Sequence, residues 1–129
     1  MDCLFCKIIN NEIPSLTIYE DELVKVFLDI NPSTNGDCLI IPKKHYENFL
    51  DIDENLIPHI HKISKNIYEL LKKKLNIEGL TITQNNFYGQ EIKHYHVHLT
   101  PRYENDLISH NFDKKHLIDI KKVYDNIKR

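Results

Sequence analysis

A chain of 129 residues is long enough for one compact domain with its own core and too short for two enzymatic units. Its 17 basic and 19 acidic residues leave a formal charge of -2, which gives no polyanion-binding signature and argues against nucleic acid as a bulk partner, though not against a local phosphate site. Asp2 and Lys7 interrupt the first apolar stretch, so neither a leader nor a spanning helix is drawn, and the expected location is cytoplasmic, with no membrane contact.

In chain order, Leu4 to Ile9 is predicted as a short helix, stopped by Asn10, Asn11 and Pro14. Leu16 to Glu20 and Leu23 to Asp29 have strand composition, with a turn at Glu20, Asp21 and Glu22. A third strand, Cys38 to Ile41, follows the turn-forming run Asn31 to Gly36 and is closed by Pro42, giving an antiparallel meander. From Asp53 to Lys74 the period changes: Leu56, Ile60, Ile63, Ile67, Leu70 and Leu71 recur at helical spacing, with Asp53 or Asn55 as cap. Period two returns at Leu80 to Thr83 and at His94 to Thr100, predicted as paired strands around a loop containing Asn85, Asn86, Gly89 and Gln90. A last amphipathic helix, Asp113 to Lys128, presents Leu117, Ile120, Tyr124 and Ile127 on one stripe. The expected class is α+β: an antiparallel sheet of about five strands with a main helix and a C-terminal helix, in a single domain spanning 1–129.

The densest chemical signal is His94-Tyr-His-Val-His-Leu99, where histidine alternates with an apolar or aromatic residue. In a strand this places three imidazoles on one face, about 6.6 Å apart, and leaves Tyr95, Val97 and Leu99 to be buried on the other. Imidazoles lining a cleft ask for a ligand, a metal or water on each nitrogen; the bland alternative is a solvated, idle face. Ligation by all three rings is weakened because no acidic residue lies between Lys93 and Tyr103. Catalysis is favoured, since an imidazole of ordinary pKa, about 6.5, is largely uncharged near neutrality and forms labile phosphorus adducts.

These residues, with Gly89-Gln90 before them and Pro101-Arg102 after, resemble the signature of the histidine triad superfamily. The likeness extends through Cys3-Leu-Phe-Cys-Lys-Ile-Ile, Ile13-Pro14, Tyr19-Glu-Asp-Glu22, Phe27-Leu-Asp-Ile30 and Ile40-Ile-Pro-Lys-Lys-His45, covering Cys3 to Tyr103. The resemblance implies a nucleotide hydrolase in which His96 attacks the α-phosphorus of a purine nucleotide, such as an AMP derivative, to form a nucleotidyl-histidine. It further implies that His98 serves the phosphate or leaving group, that Asn85 and Gln90 hold phosphate oxygens, and that Asp29 accepts from the ribose. Phe5, Ile8, Phe27 and Ile30 would form the base pocket, each with ordinary core packing as the alternative. A homodimer with strands continuing across the interface is also implied. Lys93 stands where the family commonly has an aromatic residue, and the loop from Asn85 to Gly89 is about two residues shorter than in many relatives.

Cys3 and Cys6 have zinc-knuckle spacing, but by themselves they are half a site. In the subset of the superfamily carrying this pair, the resemblance implies that His45 and His94 complete a structural zinc centre. The three histidines would then divide their work: His94 on metal, His96 as nucleophile, His98 as donor. Cys38 is expected in the core, and His59, His61, His110 and His116 on the surface. The rival of another class is a nucleotide-binding regulatory or interaction protein with little turnover.

Overall fold

The computed structural model describes residues 2–129. Five antiparallel strands, β1 (Thr17–Glu20), β2 (Val24–Leu28), β3 (Cys38–Pro42), β4 (Gly79–Thr83) and β5 (Val97–Arg102), form one sheet in the order β1-β2-β3-β5-β4. The helices are α1 (Leu4–Ile9), α2 (Ile57–Leu75), entered through a 3-10 turn at Glu54–Leu56, and α3 (Ile120–Lys128). This is the α+β class expected from the changes of period.

The meander arises where local chemistry turns the chain. The Asp21 carboxylate accepts from the backbone N–H groups of Leu23 and Val24 at 2.7 and 2.9 Å, closing the β1–β2 turn. Gly36, at φ +92, permits the return into β3, a backbone conformation that favours glycine; a Cβ there would also press on the Leu75 and Pro101 side chains. Neither Asp53 nor Asn55 caps α2 itself: Asp53 caps the 3-10 turn before it, its side chain accepting from Asn55 N, α2 starts from Leu56 with no side-chain cap bond, and Asn76 in the left-handed region ends it.

Strands β2 and β3 are buried along nearly their whole length because both sheet faces are covered. On one face Val24, Val26, Cys38, Ile40, Val97 and Leu99 pack with Ile60, Ile63, Ile67 and Leu71 of α2. On the other, Phe27, Leu39 and Ile41 pack with Phe5 and Ile8 of α1. The main core therefore belongs to α2, and the smaller one fixes α1 beside the histidines.

Several boundaries differ from those expected, and two of the differences have a clear physical cause. β5 begins at Val97 rather than His94, because its pairing with β3 runs from Cys38↔Leu99 to Ile40↔Val97 and then approaches Pro42, which has no N–H to extend the ladder. The C-terminal helix begins at Ile120 rather than Asp113, with Asp119 at its cap. None of its residues is buried, so the stripe of Ile120, Tyr124 and Ile127 gains no packing energy within the chain to lengthen it. Among the described residues no helix is long and apolar enough to cross a membrane.

Candidate active site and metal centre

His94, Tyr95 and His96 lead out of a bend into β5 and are held by specific bonds: Tyr95 N donates to Tyr46 O at 2.6 Å, and Gln84 Nε2 to His96 O at 3.4 Å. The alternation survives without the ladder. Tyr95, Val97 and Leu99 enter the α2 core, while the edge of Phe5 meets the His94 and His96 rings at centroid distances of 5.9 and 5.1 Å. His96 and His98 are themselves edge to face at 5.2 Å, closer than the ideal strand repeat.

His96 is 7% exposed, and its Nδ1–H donates to the His94 carbonyl at 2.7 Å. That bond fixes the tautomer of the neutral ring and leaves the lone pair on Nε2. Burial lowers its pKa and the neighbouring His98 adds to this, against the opposing pull of the His94 carbonyl and Asp29. His96 and His98 line a cavity of about 480 Å³, together with Phe5, Ile8, Phe27 and Asp29. Its volume and mixture of apolar wall and few polar groups suit a small ligand.

The remaining residues singled out in the sequence divide. Asn85 and Ile30 also border the cavity, but Ile30 is 85% exposed and so sits on the rim, in neither core. Gln90 is buried and turned elsewhere: its Nε2 donates to Glu47 O at 2.6 Å, and its Oε1 accepts from Phe87 N at 3.3 Å. It braces the loop that carries Asn85 and Gly89 and does not border the cavity. Sequence spacing could not reveal this, because the acceptor lies 43 positions away.

Cys3, Cys6, His45 and His94 bring four ligand atoms within 4.8 Å of one another. His94 donates from Nε2 to the Pro42 carbonyl at 2.9 Å, so its Nδ1 carries the lone pair. That atom lies 3.4 Å from Cys3 Sγ, 3.6 Å from Cys6 Sγ and 3.1 Å from His45 Nδ1. Tetrahedral zinc with bonds of about 2.0–2.3 Å needs ligands about 3.3–3.8 Å apart, so the group fits such an ion with little movement. Without a cation, burial and the adjacent Cys3 push the Cys6 thiol up to about 11, and burial pushes His94 down to about 4. Two thiolates here call for a positive charge between them. Cys38 is fully buried in the core, as expected, and no disulfide joins the three cysteines.

His61, His110 and His116 are exposed. His59 is not a plain surface residue: it is half-buried, with Nε2 2.7 Å from Asp21 Oδ2, a carboxylate that also accepts from Tyr19 Oη at 2.8 Å. This link between the β1–β2 turn and α2 was not anticipated, since only the fold brings positions 21 and 59 together.

A family model described as the HIT domain matches residues 10–105, three quarters of the chain and all of the cavity-lining strands. The chain belongs to the HIT family. This HIT protein is 44% identical over 128 residues to an uncharacterized HIT-like protein of Methanocaldococcus jannaschii, covering 98% of each chain. It is 38% identical over 102 residues to the adenosine 5'-monophosphoramidase of Saccharomyces cerevisiae, covering 78% of this chain and 62% of the enzyme. It is 36% identical over 109 residues to an adenylylsulfatase of Arabidopsis thaliana, covering 83% and 55%. Among solved structures, a zinc-bound histidine triad protein of Mycobacterium smegmatis superposes with a TM-score of 0.80 at 32% identity, covering 88% of this chain and 84% of that one.

Proposed function

We propose that this HIT protein is a hydrolase that cleaves an adenosine 5'-phosphate derivative at the α-phosphorus through a covalent intermediate on His96. The observation that carries this reading is the fixed His96 tautomer: Nδ1 is committed to the His94 carbonyl, so Nε2 is the nitrogen available to attack from a ring kept uncharged by burial. In the first step the Nε2–P bond forms as the bond from phosphorus to the leaving atom breaks, and the leaving atom takes a proton delivered by His98. Water then attacks phosphorus, the P–Nε2 bond breaks, and the proton lost by water returns to His98.

Asp29 would accept from the ribose hydroxyls, with Phe5, Ile8 and Phe27 around the base and Ile30 at its rim. Asn85 would meet a phosphate oxygen, and Gln90 serves by holding the loop that carries Asn85. The names of the two related enzymes imply different leaving groups on an adenylyl unit, an amine and a sulfate, which supports an adenylyl-transfer chemistry; the assay chooses among an amine, a lysine and the nucleotide expelled from a dinucleoside polyphosphate. Cys3, Cys6, His45 and His94 would hold zinc with no open position, so the ion supplies structure rather than Lewis-acid chemistry. The reduced cysteines fit a cytoplasmic setting. Homodimerisation through the β4 edge completes the proposal.

The test is incubation with an adenosine phosphoramidate and, separately, a dinucleoside polyphosphate, followed by mass spectrometry of the quenched protein. An adenylyl group is expected on His96. His96→Ala should lower turnover by at least about 10⁴-fold, or about 5 kcal/mol of transition-state stabilisation. Near-normal turnover in the folded mutant would refute the nucleophile assignment.

A further inference from the structure

One residue joins the metal group to the nucleophile. His94 is fully buried, and three of its polar atoms meet five residues. Its ring Nδ1 faces Cys3, Cys6 and His45, its ring Nε2–H is fixed by Pro42 O, and its backbone carbonyl takes the His96 Nδ1–H. A second connection runs through α1. Cys3 caps that helix and Cys6 lies within it, so the two thiolate ligands bracket Phe5, whose ring edge rests on both His94 and His96. Holding the four ligands therefore also holds the acceptor of His96 and the aromatic wall against it.

We infer that metal occupancy at Cys3, Cys6, His45 and His94 sets the tautomer and orientation of the His96 ring, so that the metal acts as a positioning device for the nucleophile as well as a fastening for the fold. The inference rests on the reading of His96 as nucleophile, but its structural half can be tested independently. Losing the ion removes the attraction that draws two sulfurs and two imidazoles to within 4.8 Å, and the His94 ring then relaxes about its remaining bond to Pro42. Ring rotation alone leaves the backbone in place; it is α1, carrying Cys3, Phe5 and Cys6, that shifts with the ligands, and with it the Phe5 ring that holds the His94 segment against His96. The His96 Nδ1–H loses its fixed acceptor, and the neutral ring gains access to the other tautomer, in which Nε2 carries the proton and cannot attack.

Cys3 and His45 border a recess of about 690 Å³ that adjoins the His96 cavity, also lined by Lys7, Glu47 and Lys93, and neither His96 nor His98 lines it.

The deciding experiment records the ring nitrogen resonances of ¹⁵N-histidine-labelled protein, with the His96 signals assigned through His96→Gln. Three samples are compared: protein loaded with Zn(II), protein stripped by a chelator, and His45→Ala, which removes one ligand and leaves His94 intact. The loaded protein should show His96 in the single Nδ1–H tautomer. The other two should show averaged tautomers while far-UV circular dichroism stays folded, with turnover falling about 10-fold or more. Readdition of Zn(II) should restore the first spectrum in the stripped sample. An unchanged His96 tautomer in folded, metal-free protein would overturn the coupling. So would global unfolding of both metal-depleted samples, because the ion would then staple the whole domain rather than position one ring. Absence of an adenylyl adduct in the Zn(II)-loaded protein would instead count against the nucleophile assignment, leaving the tautomer result standing.

Discussion

Asp29 owes its position to the backbone around it. Its N–H donates to Asp37 O at 2.9 Å, its Oδ1 accepts from Asn31 N at 2.9 Å, and the side chain borders the His96 cavity. A carboxylate held in this way can accept from a ribose hydroxyl with little further ordering, and such charged bonds are worth about 1.5–3 kcal/mol. Asp29→Asn is therefore expected to raise KM about 10-fold with little change in kcat. The penalty should vanish on a 2',3'-dideoxy counterpart of the substrate; equal penalties on both substrates in steady-state kinetics would remove Asp29 from the ribose. At this scale the sequence was informative where a contact depends on near neighbours, as for the His96 ring, whose bonding partner is two positions away. It was misleading for Gln90, whose amide is consumed by the distant Glu47 carbonyl.

At the scale of elements, Asp21 ties the β1–β2 turn to the start of α2. Its pKa is held down to about 2: burial works against this, and the hydrogen bonds from Tyr19, the Val24 and Leu23 backbone and His59 outweigh it. The unfolded carboxyl titrates near 3.9. Because the folded value is the lower one, the stabilising contribution of Asp21 is fully present above about pH 4 and is lost as pH falls toward about 2. The melting temperature of the wild type should thus fall more steeply than that of Asp21→Asn between about pH 5 and 2, as followed by circular dichroism. Parallel curves would mean that the carboxylate contributes nothing to folding. The helix α2 was legible because its apolar stripe repeats within the segment itself. The start of β5 was not, because a strand ends where its neighbour stops pairing, and that neighbour is Pro42.

For the whole molecule, β4 lies at a sheet edge and leaves Ile82 55% exposed, a surface suited to pairing with a second copy. Ile82→Asp is expected to shift the proposed dimer to monomer in light scattering while leaving circular dichroism unchanged; a wild-type monomer at working concentration would dispose of that interface. The amino-acid order by itself determined the α+β class, the helix and strand periods and the side of the chain on which the histidines face, since each follows from repeats within a few residues. Only the tertiary structure decided that His94 touches both the Cys3, Cys6 and His45 group and the His96 ring, that Gln90 braces a loop, and that Asp21 meets His59. Those contacts join positions tens of residues apart, and their distances depend on how two helices seat on opposite faces of one sheet.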